Sequence, residues 1–346
     1  MGISEFYKNK TVLVTGGAGS IGTALVRTLL KFNPQNVVLI DNNEGAIFDL
    51  EQDLRSSRLS TFIADIRDKE RMEPLFEGAD FVFHLAALKN LPMCESNPYE
   101  AVKTNIVGTK NVIDACLREN VKKVIFTSTG KAVKPTTAYG ASKLLAERLL
   151  TIANVQRRDH VTRFASVRFG NVMGSRGSVL PLFRRQIENG GPVTITHEDM
   201  VRPGILMSQA LKLITSVGED ARGGEVFILK MRLFRIAEVA KVMIEELGPR
   251  YGHKHDAIKT EMIGIKAGEK LVEQLMTERE QQRTYETNEM FVITPDLKEL
   301  VSISEFYRDS AAEGEIKPYV SSDPVFANSA DIKRVLNSLG YLSLAE

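Results

Sequence analysis

The stretch TVLVTGGAGSIG, residues 11–22, decides the fold of this chain. Its first five residues form a short β-branched run, which predicts a strand. Gly17, Gly19 and Gly22 follow with GxGxxG spacing, and Gly16 adds a GxxGxxG spacing. Between a strand and a helix, such glycines permit a tight turn and let backbone N–H groups approach a pyrophosphate. The stretch therefore predicts a dinucleotide-binding loop.

The alternation of apolar runs and helical segments continues beyond this loop. The runs are almost entirely apolar, which is typical of parallel strands covered by helices on both faces. They lie at 11–15, 36–40, 59–63, 80–85, 122–128 and 164–169, with helical segments at 20–32, 44–55, 98–118 and 139–154. We therefore predict an α/β protein with a Rossmann-type, doubly wound parallel sheet.

The second half of the chain is richer in glycine and proline and predicts a smaller lobe. It contains a strand at 225–229 and helical patterns at 208–217, 234–247, 269–276 and 330–339. We expect residues 1–170 to form an NAD(P)-binding domain, to which residues 205–230 could return. Residues 171–346 are expected to form a C-terminal substrate-binding lobe and tail.

Composition excludes several classes of protein. The 346 residues are 43% hydrophobic and 26% charged with a formal charge of +1, which favours an ordinary folded protein and gives no reason to expect nucleic-acid binding. Two cysteines without a CxxC pair and five scattered histidines predict neither disulfides nor a metal site. No apolar run approaches 18 residues and no leader pattern opens the chain, so we expect a cytoplasmic protein without a membrane partner.

Two acidic residues follow strands of the predicted nucleotide-binding half. Asp41 ends the second strand, 19 positions after Gly22, where a carboxylate can accept hydrogen bonds from a ribose diol and repel a 2′-phosphate. It favours NAD over NADP, the alternative being a solvated loop aspartate. Asp65 follows the third strand and either reaches an adenine edge or caps the helix that begins near Lys69.

A second motif carries chemistry. Tyr139 precedes Lys143 by four residues, so both lie on one helical face, and Thr129 ends the fifth strand. A lysine ammonium stabilises a phenolate and lowers the pKa of the tyrosine, which can then exchange a proton with a carbinol as hydride leaves. These three residues are the predicted catalytic set.

With these motifs, the chain resembles the extended short-chain dehydrogenase/reductase family, and within it the UDP-N-acetylglucosamine 4,6-dehydratase (C5-inverting) and polysaccharide-biosynthesis branch. The resemblance covers roughly residues 8–280. It rests on five long motifs in order: TGGAGSIG (15–22), HLAALKNLPMCESNPYEAVKTNIVGTKNVIDA (84–115), STGKAVKPTTAYGASK (128–143), RFGNVMGSRGSVLPLF (168–183) and IGIKAGEKLVEQL (263–275).

The resemblance implies roles for further residues. Lys131 is similar to the proposed C5 base, with a solvated surface lysine as the alternative for both Lys131 and Lys89. The implied cofactor contacts are Gly16, Gly19, Ser20, Ile21, Gly22, Asp41, Asp65, Ile66, Ala86, Lys89, Asn105, Tyr139 and Lys143. The implied contacts to a nucleotide-sugar diphosphate and uridine are Lys89, Asn171, Ser178, Val179 and Arg202.

The chain departs from the dehydratase pattern at two places. Gly130 stands where an aspartic acid would protonate the departing C6 hydroxyl, and Pro203 stands where an aromatic residue is usual. A positioned general acid typically contributes about 10²- to 10⁴-fold, so Gly130 puts elimination in question.

The implied activity is an NAD(P)-dependent 4,6-dehydration of UDP-N-acetylglucosamine through a 4-keto intermediate. A UDP-hexosamine 4-epimerase is the alternative, since it needs only Thr129, Tyr139 and Lys143. A catalytically silent nucleotide-binding protein is a third possibility. The resemblance also implies a homo-oligomer built on helices such as 98–118 and 139–154.

Overall fold

The structure, a computed structural model, describes residues 2–156, 161–175, 177–254, 257–266, 268–314, 317–318 and 325–342. Two compact units share the chain. The first comprises Met1–Arg168, Leu211–Lys230 and Leu275–Val320, and the second comprises Phe169–Ala210, Met231–Gln274 and Ser321–Glu346, each as far as it is described. Leu211–Lys230 is thus the part of 205–230 that returns to the first unit. The expected C-terminal lobe is divided, because two strands at 284–293 extend the sheet of the first unit.

The strands are β1 (Thr11–Thr15), β2 (Asn36–Asp41), β3 (Leu59–Ile63), β4 (Phe81–His84), β5 (Lys123–Thr129), β6 (Arg163–Phe169), β7 (Asn171–Val172), β8 (Val193–Ile195), β9 (Val201–Ile205), β10 (Val226–Leu229), β11 (Arg232–Arg235), β12 (Thr260–Met262), β13 (Thr284–Glu286), β14 (Met290–Ile293) and β15 (Lys317–Pro318).

The α-helices are α1 (Ile3–Tyr7), α2 (Ser20–Leu30), α3 (Glu44–Leu54), α4 (Lys69–Met72), α5 (Leu91–Ser96), α6 (Pro98–Ala101), α7 (Thr109–Arg118), α8 (Ala138–Gln156), α9 (Val179–Glu188), α10 (Met207–Asp220), α11 (Ile236–Leu247), α12 (Glu278–Gln281), α13 (Val301–Ala312) and α14 (Ser329–Ser338). A π-helical segment, Val102–Gly108, joins α6 to α7. Short 3₁₀ turns cover Glu73–Phe76, Gly130–Ala132, Pro249–Tyr251 and Lys298–Leu300.

The first unit is built on one ten-stranded sheet, in the order β3-β2-β1-β4-β5-β6-β10-β14-β13-β15. The pairs β3–β2, β2–β1, β1–β4, β4–β5 and β6–β10 are parallel, and β14 joins β10 antiparallel. This confirms the predicted Rossmann-type fold. The strand order reverses between β1 and β4, and ligands of such sheets bind at the carboxyl ends of the strands at this point.

The second unit has its own apolar core. A three-stranded sheet, β11-β9-β7, and the pair β12-β8 accompany α9, α11 and α14, whose buried side chains include Phe183, Met243 and Leu336. The predicted helix at 269–276 is wrong. Instead, the Leu271 carbonyl accepts from the backbone N–H of Val201, which holds this segment against β9. Val272 also forms a parallel bridge with Val201, so this segment is paired with β9 and is not helical.

Candidate active site

The loop after β1 folds tightly onto its neighbours. A Cβ at Gly16, where φ is +69°, would lie 2.6 Å from the nitrogen of Ala86, and one at Gly22 would lie 2.2 Å from the oxygen of Gly16. These two positions therefore require glycine. Gly19 is the N-cap of α2 and supplies no side-chain cap. The backbone N–H groups of Ser20, Ile21 and Gly22, in the first turn of α2, have no hydrogen-bond acceptor in the described chain. This is the arrangement that an anion needs.

Asp41, at the end of β2, is held beside this loop. Its Oδ2 accepts from the backbone N–H of Ala18 at 3.0 Å, and its Oδ1 accepts from that of Asn43 at 3.0 Å. The carboxylate is thus bonded to the glycine loop and does not simply extend into solvent. Its place beside the loop fits a contact with a ribose diol.

Asp65 forms an ion pair with Arg67, whose Nε and Nη2 lie 2.9 and 2.6 Å from Oδ2. Burial raises the pKa of Asp65, but the hydrogen bonds from Arg67 outweigh burial and lower it. The capping alternative is wrong, because Asp68 is the N-cap of α4 and accepts from the N–H of Arg71. The side chain of Ile66 is buried in the core of the first unit.

Tyr139 and Lys143 lie one turn apart on α8, and both are buried. The Nζ of Lys143 lies 3.9 Å from the centroid of the Phe126 ring on β5, where a cation is attracted by the ring face. Burial lowers the pKa of Lys143 to about 7, and the charge of Glu147 opposes that shift. A lysine with this pKa is partly protonated near neutral pH, and its ammonium form can stabilise a neighbouring phenolate.

A buried histidine that sequence analysis missed also contacts Phe126. The ring centroids of His84 and Phe126 are 5.4 Å apart. The hydroxyl of Thr109 donates to a backbone carbonyl at 2.7 Å and therefore accepts from His84 Nε2 at 3.0 Å. Nδ1 then accepts from the hydroxyl of Thr15 at 2.7 Å, which makes His84 the neutral Nε2–H tautomer. Burial lowers its pKa to about 3, and the nearby lysine charge adds to the shift.

The turn Gly130–Ala132 brings Lys131 next to the start of α8. Thr129 Oγ1 accepts from the N–H of Lys131 at 3.3 Å. A Cβ at Gly140 would lie 2.3 Å from the carbonyl oxygen of Lys131, so glycine permits this approach. The structure therefore places Thr129, Lys131 and the helix that carries Tyr139 on adjoining segments. Lys131 itself is half-buried.

Asn105, on the π-helical segment, is bonded to the loop after β4. Its Oδ1 accepts from the N–H of Leu88 at 2.8 Å, while Nδ2 donates to Leu88 O and to Ser142 Oγ, both at 2.9 Å. Both amide hydrogens are therefore used within the protein. We assign Asn105 a positioning role in place of the predicted cofactor contact. The loop it holds carries Ala86, against the glycine loop, and the exposed Lys89.

Four predicted substrate contacts belong to the second unit. Asn171 begins β7 and is half-buried, and Val179 begins α9. Ser178 is the N-cap of α9, yet its side chain makes no capping bond, and its buried Oγ has no hydrogen-bond partner in the described chain. An uncapped N-terminus with an unsatisfied hydroxyl fits a role in holding a phosphate. Arg176 of the same motif lies outside the described residues.

Arg202 does not fit the predicted phosphate clamp. It is buried, and its Nη2 lies 3.1 Å from Glu269 Oε1 and its Nε lies 3.3 Å from Glu273 Oε1. Its Nη1 donates to the carbonyl oxygens of Val201 and Lys270, both at 2.8 Å. Because residues 269–273 return to β9 and occupy the guanidinium, Arg202 fixes that segment.

Among the residues that the structure describes, no cluster of three or more His, Cys, Asp or Glu side chains is arranged to hold a metal ion. Across the same ranges, no helix combines the length and the apolar character needed to cross a membrane. Cys94 and Cys116 are both buried and form no disulfide.

Comparison with known proteins gives relatives over nearly the whole chain. An uncharacterized membrane protein of Methanocaldococcus jannaschii is 48% identical over 98% of this chain and 99% of its own length. The inverting UDP-N-acetylglucosamine 4,6-dehydratase of Campylobacter jejuni is 36% identical over 96% and 98%. The UDP-glucose 4-epimerase of Rickettsia typhi is 34% identical over 97% and 98%.

The fold has a similarly close match among solved structures. The X-ray structure of Pen from Bacillus thuringiensis has a TM-score of 0.87 and 38% identity, and the match covers 96% of this chain and 98% of Pen. The family described as polysaccharide biosynthesis protein matches residues 12–295. The chain therefore belongs to the polysaccharide-biosynthesis branch of the extended short-chain dehydrogenase/reductase family, as its motifs predict.

Proposed function

We propose that this protein is an NAD-dependent enzyme that modifies a UDP-N-acetylhexosamine and begins by oxidising C4 of the sugar. One observation carries the proposal: Lys143 is buried one turn after Tyr139, on the helix that follows β5 of a Rossmann sheet. The relatives that span the whole chain, a UDP-N-acetylglucosamine dehydratase and a UDP-glucose epimerase, support the substrate class.

The residues of the first unit fit NAD. The unpaired N–H groups at the start of α2 suit a pyrophosphate, and the carboxylate of Asp41 suits a ribose diol while repelling a 2′-phosphate. When bound, NAD supplies a hydride acceptor and later a hydride donor, so no external reductant is consumed. The side chain of Ile66 is buried in the core, so Ile66 would meet the cofactor through its backbone.

The chain's own residues handle the protons. Tyr139, as phenolate, takes the proton of the C4 hydroxyl, and the ammonium of Lys143 favours that ionised form. The resulting 4-keto group acidifies the C5–H, which Lys131 removes in a dehydratase. Thr129 is the last residue of β5, and its hydroxyl is assigned the role of donating a hydrogen bond to the sugar.

We place dehydration first and 4-epimerisation second. The dehydratase from Campylobacter supports the first over nearly the full length of both chains. Gly130 and the Rickettsia relative support the second, because an epimerase needs no acid at C6. The two activities share oxidation at C4 and diverge at C5.

Proton NMR in heavy water separates these activities. The protein is incubated with NAD and UDP-N-acetylglucosamine, and the sugar signals are followed. A new C6 methyl signal with deuterium at C5 establishes dehydration, whereas conversion to the galacto isomer without deuterium at C5 establishes epimerisation. If neither appears with a panel of UDP-hexoses although NAD binds, the proposal fails.

Two variants assign the chemistry in the same assay. Tyr139→Phe should abolish every product, because it removes the group that accepts the C4 proton. Lys131→Met should abolish deuterium incorporation at C5 and methyl formation but leave any epimerisation in place. Loss of both activities in Lys131→Met would contradict its assignment as the C5 base.

We also propose a homo-oligomer. Large apolar side chains stay exposed on the segment 98–118 and on α8, which pack side by side in the first unit: Tyr99, Val102, Val107 and Leu145. A second copy of the chain is the occupant that the family resemblance implies for these helices. The cytoplasmic location stays a prediction.

A further inference from the structure

The first unit contains a cavity that is separate from the glycine loop and from the Tyr139–Lys143 pair. It encloses about 210 Å³ and lies between the later turns of α8 and residues 280–297. A volume of about 10–15 Å³ on this scale suffices for one water molecule. The cavity therefore has room for a small polyatomic ion together with water.

The acidic groups of this cavity are already neutralised. Arg168 is buried and donates to Glu147 with Nε and Nη2, at 2.8 and 2.6 Å, and to Glu280 with Nη1 and Nη2, at 3.1 and 2.9 Å. Asp296 lies 2.7 Å from the guanidinium of Arg279. The remaining N–H of Arg168 donates to the carbonyl of Leu275, so this cluster has no donor left for a ligand.

Two other arginines line the cavity, and neither has a partner among the residues that the structure describes. The Nε of Arg283 is buried and makes no hydrogen bond, and within the described residues its side chain forms no ion pair. Arg148, which is exposed on α8, likewise has neither in the same ranges. Burial lowers the pKa of Arg283; the charges of Glu280 and Asp296 oppose that shift, and the charge of Arg148 adds to it.

We propose that this cavity binds the phosphate group of a small molecule, held by Arg283 and Arg148. A buried guanidinium N–H without an acceptor is costly, and an oxyanion between two guanidinium groups satisfies both. The planar fork of arginine matches phosphate oxygens in pairs, which favours phosphate over chloride. The assignment stands independently of the proposed activity, because none of the cavity's residues belongs to the catalytic set.

Calorimetric titration with inorganic phosphate at constant ionic strength tests the site. Phosphate also binds at a nucleotide site. The informative quantity is therefore the difference in phosphate affinity between the wild-type protein and the variants Arg283→Met and Arg148→Met. We expect one binding event to weaken at least tenfold in each variant. Arg118→Met is the matched control, because Arg118 is exposed, pairs with Glu73 and does not line the cavity.

A parallel titration with ribose 5-phosphate distinguishes the source of the phosphate. A variant-sensitive event with inorganic phosphate indicates a free-ion site, and one seen only with the ester indicates a phosphorylated metabolite. Equal isotherms for all four proteins with both probes overturn the proposal. Should Arg283→Met fail to fold, Arg148→Met on the exposed face of α8 still decides the question.

Discussion

At the scale of single residues, the buried imidazole of His84 makes the stability of the first unit depend on pH. Its pKa is about 3 in the folded chain, against an ordinary value near 6.5. Below pH 6.5 the unfolded chain therefore binds a proton that the folded chain does not. The stabilisation is present above pH 6.5 and is lost as the pH falls toward 3.

Urea unfolding at several pH values measures this effect. Between pH 6.5 and pH 4.5, the free energy of unfolding of the wild type should fall by about 2 kcal/mol more than that of His84→Gln, because the variant lacks the titrating group. The half-exposed His197 provides a control as His197→Gln. Parallel pH profiles for the wild type and His84→Gln would contradict the buried neutral imidazole.

We expect Gly130 to limit elimination in the proposed dehydratase. It has helical backbone angles as the first residue of the 3₁₀ turn, so an aspartate is compatible with the backbone. Gly130→Asp supplies a general acid, and we expect methyl formation to rise by about 10- to 100-fold in the NMR assay. If the wild type proves to be an epimerase, the same assay shows whether an acid at residue 130 gives it dehydratase activity.

Gly130→Asn is the matched control for that change. The amide has nearly the same shape but no acidic proton, so Gly130→Asn should show no such gain. Equal rates in Gly130→Asp and Gly130→Asn would show that departure of the C6 hydroxyl does not depend on an acid at residue 130.

At the scale of elements, the contact of α8 with the turn Gly130–Ala132 sets the position of Lys131. In Gly140→Ala, the added Cβ would lie 2.3 Å from the carbonyl oxygen of Lys131. The turn must move, and we expect a loss of about 1–3 kcal/mol in stability together with a lower turnover. Thermal unfolding and the NMR rate report the two effects.

Gly45→Ala makes the same change where there is space. Gly45 also lies in the first turn of a helix, α3, but its added Cβ would meet nothing closer than 3.8 Å. Alanine there should stabilise the protein by about 0.5–1 kcal/mol and leave turnover unchanged. Similar behaviour of the two variants would mean that the contact of α8 with the turn is unimportant.

The parallel strands were predictable from sequence because burial on both faces leaves continuous apolar runs. The structure confirms β1 and β3 at the predicted bounds. Less regular elements gave weaker signals: α9 follows a glycine-rich loop and α13 lies in a polar tail, and neither was predicted. The false helix at 269–276 has apolar residues at helical spacing, yet pairing with β9 and Arg202 determines its conformation.

At the scale of the whole molecule, side-chain roles depend on partners far away in the sequence. Asn105 was recognisable as a motif residue, but its bonds to Leu88 and Ser142 span 17 and 37 positions. Arg202 meets Glu269 across 67 positions. A local sequence motif identifies such residues, but it does not predict whether they contact a ligand or a distant part of the chain.

If the protein is an oligomer, as proposed, charged substitutions on the exposed apolar side chains of its interface should dissociate it. Leu145→Glu and Val102→Glu place a carboxylate on side chains that are 46% and 41% exposed on α8 and on the π-helical segment. In a two-fold interface each change occurs twice, and burying the added charges opposes association. Light scattering after size exclusion should therefore show a multiple of 38.5 kDa for the wild type and 38.5 kDa for the variants.

Phe48→Glu is the control for these variants, since Phe48 is 58% exposed on α3 and should not affect assembly. If Phe48→Glu alone dissociated the oligomer, the interface would lie on α3 instead. A wild type that stays at 38.5 kDa at micromolar concentration would contradict the oligomer itself. Exposed Tyr99 and Val107 would then be ordinary surface residues, because scattered apolar side chains are common on monomers.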